Sequence, residues 1–301
     1  MRARLTILLF CVCVAAAAQN RDKFISPLYA GPNAFPVPDM LDGRTSRDLK
    51  IELAADYHHG FLRDRTANLF ARIYIPLFTP RVNLTVWMPV CEWYSMTLER
   101  QQQCMLETDE PIRGYGYGDV YLSTDMQLLV ARRWWPDIVL RAALKTASGE
   151  QWDRARYYDD PGYFFDVAVG KSLYITTGCQ PSAERQQDSD WEIRLAASAG
   201  FLCWQTKTAM QNDAYQYGLQ LLVRQQYLSA RLTWAGYSGW ENNGDHPMVI
   251  NAELRGHAYG FEPFVRYQYG LRDYPFHSFR IGLAYNIDIL TKRNKHNKEN
   301  K

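Results

Sequence analysis

Charged side chains at alternate positions are the residues of this 301-residue chain most able to do chemistry. In "GDVYLSTDMQLL", residues 118–129, Asp119, Asp125 and Gln127 fall on one side of the chain while Val120, Leu122, Met126 and Leu128 fall on the other. The same parity collects Glu52, Asp56, Arg72, Arg141, Lys145, Asp166, Arg194, Arg231, Glu253, Arg255, Glu262, Arg266 and Arg280 from other segments. Opposite charges that share a face have two uses. Dry, they pair into a cross-linked network, because a buried charge must be paired or wet. Wet, they line a path that guides a small polar solute.

Other chemistry finds less support. Hydrolysis needs a hydroxyl within reach of an imidazole. His277 directly precedes Ser278, which sends the two to opposite faces of a strand, and no serine lies two residues beyond His58 or His59. The nearest constellation, Ser238, Asp245 and His246, reads as a polar loop. Beyond residue 18 the cysteines are Cys91, Cys104, Cys179 and Cys203, with no C-x-x-C spacing and no histidine at a zinc-site interval, so no metal is expected. A bridge between Cys91 and Cys104 is one reading and isolated buried thiols are the other. No glycine loop suited to phosphate is present, and neither a cofactor nor an enzymatic activity is expected.

The elements that must hold these charges are strands. Period-two alternation recurs over 50–59, 66–75, 81–90, 118–129, 137–146, 163–172, 191–201, 214–224, 227–236, 247–256, 261–270 and 278–287, twelve strands of about ten residues. Soluble strands average about five or six residues, whereas a tilted membrane-crossing strand needs about 9–11. Links that leave the first, third and later odd strands are mostly long, and the others, such as "PLFTPR" and "GHAYG", mostly short, as in outer-membrane barrels. The link 174–190 breaks that scheme by its length. The aromatic fraction of 14% supplies two belts on the apolar faces. Tyr57, Tyr94, Tyr163, Phe165, Phe201, Tyr215, Trp234, Tyr267 and Phe279 fall at outer ends, and Trp191, Phe261 and Tyr285 at inner ones.

The fold expected is therefore all-β: a single antiparallel transmembrane β-barrel of about 12 strands over 49–290. Residues 1–18 read as a secretory signal peptide, with Arg2 and Arg4 before an apolar run and Ala16-Ala17-Ala18 as the cleavage site. Removing them leaves 32 basic against 32 acidic side chains, a balance that excludes a nucleic-acid binder. Residues 19–48 form a proline-bearing extended lead, expected to hang in the periplasm, with the lumen as the alternative. Residues 291–301 form a basic C-terminal tail. The expected location is the outer membrane. The expected partners are its lipids, the barrel-assembly machinery and small polar or aromatic solutes.

A resemblance adds to this reading. Gly118 and Asp119 opening a strand, Pro136 before the next, Lys145 and Thr146 ending it near Gly149, and a late Lys171 resemble the strand pattern of the channel-like outer-membrane proteins associated with aromatic-compound (meta-cleavage) degradation loci. The resemblance covers 118–173, about a fifth of the chain, and departs from the family where Lys-Thr-Ala-Ser-Gly replaces Pro-Thr-Gly. It implies a barrel that passes small solutes and supplies no catalytic residues. The functional expectation is a narrow channel. A closed structural or surface-interaction barrel with a charged lumen network is the second reading, and an envelope lipid-modifying enzyme the third.

Overall fold

A sheet whose two faces differ in polarity at every second residue can turn its apolar face to lipid and its polar face inward by closing on itself. The computed structural model describes residues 27–106, 110–157, 161–175, 191–205, 213–239 and 245–287, and shows that closure. In chain order the strands are β1 (Leu49–Gly60), β2 (Arg65–Pro76), β3 (Val82–Met96), β4 (Ile112–Gly116), β5 (Tyr121–Leu129), β6 (Asp137–Lys145) and β7 (Gly162–Ile175). There follow β8 (Trp191–Trp204), β9 (Ala214–Arg224), β10 (Leu228–Ser238), β11 (Met248–Gly256), β12 (Phe261–Arg272) and β13 (Phe276–Ile287). Each of the twelve wall strands pairs antiparallel with its neighbours, and β1 closes the barrel on β13 from Leu49↔Ile287 to Gly60↔Phe276. The short β4 adds to the C-terminal end of β3, from Glu92 to Met96, and is not part of the wall.

The outward faces are apolar and open to the surroundings: Leu53, Leu195, Leu219 and Ile281 are each more than half exposed. Membrane lipid is the medium in which such a surface is stable. No helix among the described residues is long and apolar enough to cross a membrane.

The wall strands run where alternation places them, but the register slips at three places: at Leu69/Phe70 between β2 and β3, at Gln127/Leu129 between β5 and β6, and at Met248/Val249 between β11 and β12. The first of these reverses side chains that alternation had placed. In β3, Leu69 pairs with Cys91 but Phe70 pairs with Pro89, so Val90 bulges out of register. A one-residue bulge reverses every later side chain. Tyr94, expected in the lipid belt, is therefore buried inside with Met96, and Glu92 points inward, 1% exposed. Beyond β3 lies a helix that alternation does not foresee, α1 (Leu98–Gln103), whose Thr97 hydroxyl accepts from the Arg100 amide as an N-cap.

Inside the barrel lies the lead. Residues 27–31 sit among the long connections at one end: Arg100 of α1 donates to the carbonyls of Leu28 and Ala30, and the Gly31 amide donates to the Ala155 carbonyl. The chain then descends through the lumen and turns at Gly43, φ +87°, to enter β1 from the end with short turns. The expectation of a periplasmic lead is thus overturned for residues 27–48. Three prolines, Pro32, Pro36 and Pro38, hold the segment extended and leave fewer amide donors to satisfy in a confined space. The apolar half of the lumen receives it, as Ala30, Ala34 and Phe35 pack with Tyr121, Ala143, Phe164, Leu202, Trp204 and Tyr237. The signal peptide, the tail, Cys179 and all but the start of the long 174–190 link lie outside the described residues.

Candidate functional site

Each wall strand contributes one inward side chain every two residues, and pairing register sets which ones meet across strands. The register puts Asp125 opposite Arg141 and Tyr121 opposite Lys145. All the charged residues named from alternation face inward. Their partners divide into three levels.

At the end that bears the long connections, Lys145 binds Asp119 at 2.8 Å, and Asp119 also accepts from the amides of Ser148 and Gly149. Beside them is a fully buried cluster that alternation did not reveal. Arg156 binds Asp64 at 3.2 Å and Glu92 at 2.9 Å and contacts the Thr66 hydroxyl; Arg100 binds Asp64 at 3.3 Å; Tyr157 donates to Glu92. Asp64, Arg156 and Tyr157 come from connections, Arg100 from α1 and Glu92 from the shifted part of β3, which is why strand parity missed them. Asn33 ties the lead to this cluster, donating to Glu92 at 2.7 Å.

At mid-height the lead carries Asp39 between two wall arginines, Arg72 of β2 at 2.7 Å and Arg266 of β12 at 2.6 Å. Burial alone would push the Asp39 carboxyl up, yet Arg266 and Arg72 more than offset it and hold the group well below the usual carboxylate range. Arg141 pairs with Asp166 at 2.6 Å and donates to the Asp39 carbonyl at 2.9 Å, while Asp125 accepts from Thr85 and Ser123. On the far wall Arg280 grips Asp56 through two bonds, 2.5 and 2.8 Å, and Arg255 reaches Glu253, Glu262 and Glu52 at 3.0, 3.1 and 3.3 Å. Arg231 is only loosely matched, 4.0 Å from Glu253.

At the end with the short turns Arg194 donates twice to the Asp42 carbonyl and binds Asp137 at 2.9 Å, and Arg44 binds Glu192 at 2.7 Å. Close approach is possible because both sides carry glycine: a Cβ on Gly170 would lie 2.1 Å from the Asp42 carbonyl oxygen. Around the lead remains a cavity of about 400 Å³, whose border includes Asp39, Arg231, Glu253, Arg255, Arg266 and Arg280 and also reaches Arg72, Asp125 and Arg141.

Among the described residues, hydroxyl–imidazole contacts join Ser229 to His257 at 2.9 Å and Tyr267 to His277 at 2.8 Å, and two more involve Ser278 and Ser238. Ser278 lies opposite His58 in register, 2.6 Å from Nδ1, while the Asn68 carbonyl oxygen lies 2.9 Å from Nε2 and Asn68 donates to Asp56. Pairing across strands, not sequence spacing, creates this trio, and it faces the lumen. Ser238 and His246 are 2.8 Å apart, with Asp245 buried nearby in the same connection.

The structure does not join Cys91 and Cys104, and the bridge is a reading it overturns. Cys91 sits in the β3 wall opposite Leu69, whereas Cys104 ends α1 and packs against Tyr94, Met96 and Ala155. Burial pushes the Cys104 thiol up. Among the described residues no group of three or more His, Cys, Asp or Glu side chains is arranged to hold a metal ion.

No known protein family matches the chain, and no curated protein matches it. Solved structures do. The transport unit of the autotransporter AIDA-I from Escherichia coli superposes with a TM-score of 0.51 at 7% identity, over 89% of this chain and 99% of that one. KdgM porin gives 0.44 at 10% over 79% and 99%, and the outer-membrane phospholipase A of Escherichia coli 0.39 at 12% over 82% and 99%. At these identities the likeness to the AIDA-I unit shows the fold alone: a closed twelve-stranded antiparallel barrel of the outer-membrane kind.

Proposed function

We propose that this protein is an outer-membrane passage for small solutes that its own N-terminal lead holds shut. The observation that carries the proposal is the Asp39 carboxylate held between Arg72 and Arg266, with the cavity of about 400 Å³ around the lead. Twelve strands about 4.8 Å apart at roughly 40° tilt enclose a backbone diameter of about 24 Å, of which side chains leave about half. One extended segment suffices to occlude a bore of that size. On the β5–β8 side the lead packs against apolar side chains. Elsewhere it faces a charged cavity. The end bearing the long connections faces outward and the short turns face the periplasm. Export by the leader, insertion by the barrel-assembly machinery and the lipid-facing exterior complete the proposal. The resemblance over 118–173 would make the solute aromatic; the cavity lining supports a polar one. A lipid-modifying role would need its nucleophile at the bilayer face, and Ser278 and His58 point into the lumen.

The test is a lock. Met40 Sδ lies 2.9 Å from where a Cβ on Gly218 would be, so, once the native cysteines are replaced by serine, Met40→Cys with Gly218→Cys sets two thiols near enough to join the lead to β9 by oxidation through a short reducible dithiol linker. In planar bilayers the oxidised protein should be silent and reduction should restore openings. Equal conductance in both states would remove the lead as the closing element.

A further inference from the structure

The wall supplies Arg72 and Arg266 with acidic neighbours in register, Glu52 and Glu253, but both carboxylates are engaged by Arg255. Arg266 also stands directly opposite Arg280, a like-charge pair that a bare wall would disfavour. Asp56 answers Arg280 from within the wall. Arg72 and Arg266 make their carboxylate bonds to Asp39, which is carried by the lead and not by the wall. Arg72 is further fixed over the Phe70 and Trp87 rings, at 4.9 and 5.7 Å, so its guanidinium is held in place by the wall as well as by its anion.

The cavity beside the clamp is basic once the lead is set aside. Its border holds Lys50, Arg72, Arg141, Arg224, Arg231, Arg255, Arg266 and Arg280 from the wall against Glu52, Asp56, Asp125, Glu253 and Glu262, eight basic against five acidic side chains. Arg231 is about one-third exposed into it, and its buried Nε has no hydrogen-bond partner. A guanidinium pair with a third arginine alongside is suited to bidentate recognition of a carboxylate.

We propose that Arg72 and Arg266 form the receptor for the carboxylate of a small anionic solute, for which Asp39 stands in at rest, so that the solute opens the barrel by competing with the lead. The inference rests on the passage reading and names its solute class. Competition needs no new energy source, because one carboxylate replaces another between the same two cations.

The experiment uses the full-length protein in planar bilayers with sodium succinate as probe and sodium chloride at matched ionic strength as reference. Succinate should raise the open probability of the native protein at least tenfold. Asp39→Asn should open without succinate and pass chloride in preference to potassium. Arg72→Gln with Arg266→Gln should abolish the succinate response. Heat-modifiable migration in mild detergent checks that each variant is folded. Cation preference in a conducting Asp39→Asn protein, or a succinate response that survives loss of both arginines, would overturn the anion clamp and leave the passage reading standing. Silence in every folded variant, Asp39→Asn included, would overturn both.

Discussion

Replacing Arg141 by glutamine separates a dry lumen from a wet one. The Arg141 side chain is 5% exposed and that of Asp166 is fully buried, with 2.6 Å between them, and the same guanidinium donates to the Asp39 carbonyl. Glutamine reaches neither with a charge. In a lumen filled by the lead the Asp166 carboxylate is left buried without a cation, which costs about 3–5 kcal/mol. Asp166→Asn on top of Arg141→Gln removes one of the two stranded charges and should recover about half of the loss, because Asp125 still faces the vacated position with only the Thr85 and Ser123 hydroxyls as donors. Urea midpoints of the refolded barrel, with slopes compared to confirm a common transition, give these differences as a double-mutant cycle. A cost below about 1 kcal/mol for Arg141→Gln, with no recovery from the second change, would mean that water solvates Asp166 and that the lead does not fill the lumen.

Three further outcomes follow from the geometry. Leu140 lies on the outward face of β6, so Leu140→Arg should cost about 2–4 kcal/mol, whereas arginine at Glu150 in an exposed outer loop should cost less than about 0.5 kcal/mol; equal urea midpoints would contradict the lipid face. Gly170→Ala should push the lead off the β7 floor and raise open probability without weakening the wall, while Gly256→Ala, whose nearest neighbour would be 3.3 Å away, should change neither; unchanged bilayer recordings for Gly170→Ala would refute the close contact. Because the Asp39 carboxyl is held well below its ordinary value of 3.8, its contribution is present above that value and lost only as pH falls through the lower one. The native protein should therefore stay shut at pH 4 and open in stronger acid, and opening between pH 5 and 4 would contradict the clamp.

Much of the wall was legible in the sequence because a half-buried strand advertises its two faces residue by residue. Asp125 opposite Arg141, and Lys145 beside Asp119, could be anticipated from one hairpin and a short turn. What escaped notice depends on non-local geometry. The Val90 bulge carries no local signal and turned Glu92 and Tyr94 inward. Arg100 sits in the short helix α1 and Arg156 in a connection, where strand alternation says nothing, although the Thr97-Leu98-Glu99 start of α1 had the N-cap pattern that could have located the first. His58 and Ser278 are 220 residues apart and meet only because the first and last strands close the barrel. The lead's path was open to either reading because an extended, proline-bearing segment is compatible with water or with a groove. Its descent is settled by partners scattered over the wall: Asn33 on Glu92, Asp39 on Arg72 and Arg266, Asp42 on Arg194.

The unit conductance of the native protein in a planar bilayer tests the central claim most directly. A twelve-stranded barrel with an empty lumen, about 12 Å across, would pass a steady ohmic current from the moment of insertion. With residues 27–48 in the bore the account predicts a closed baseline interrupted by brief openings, and a continuous open-pore current through the folded native chain would contradict it.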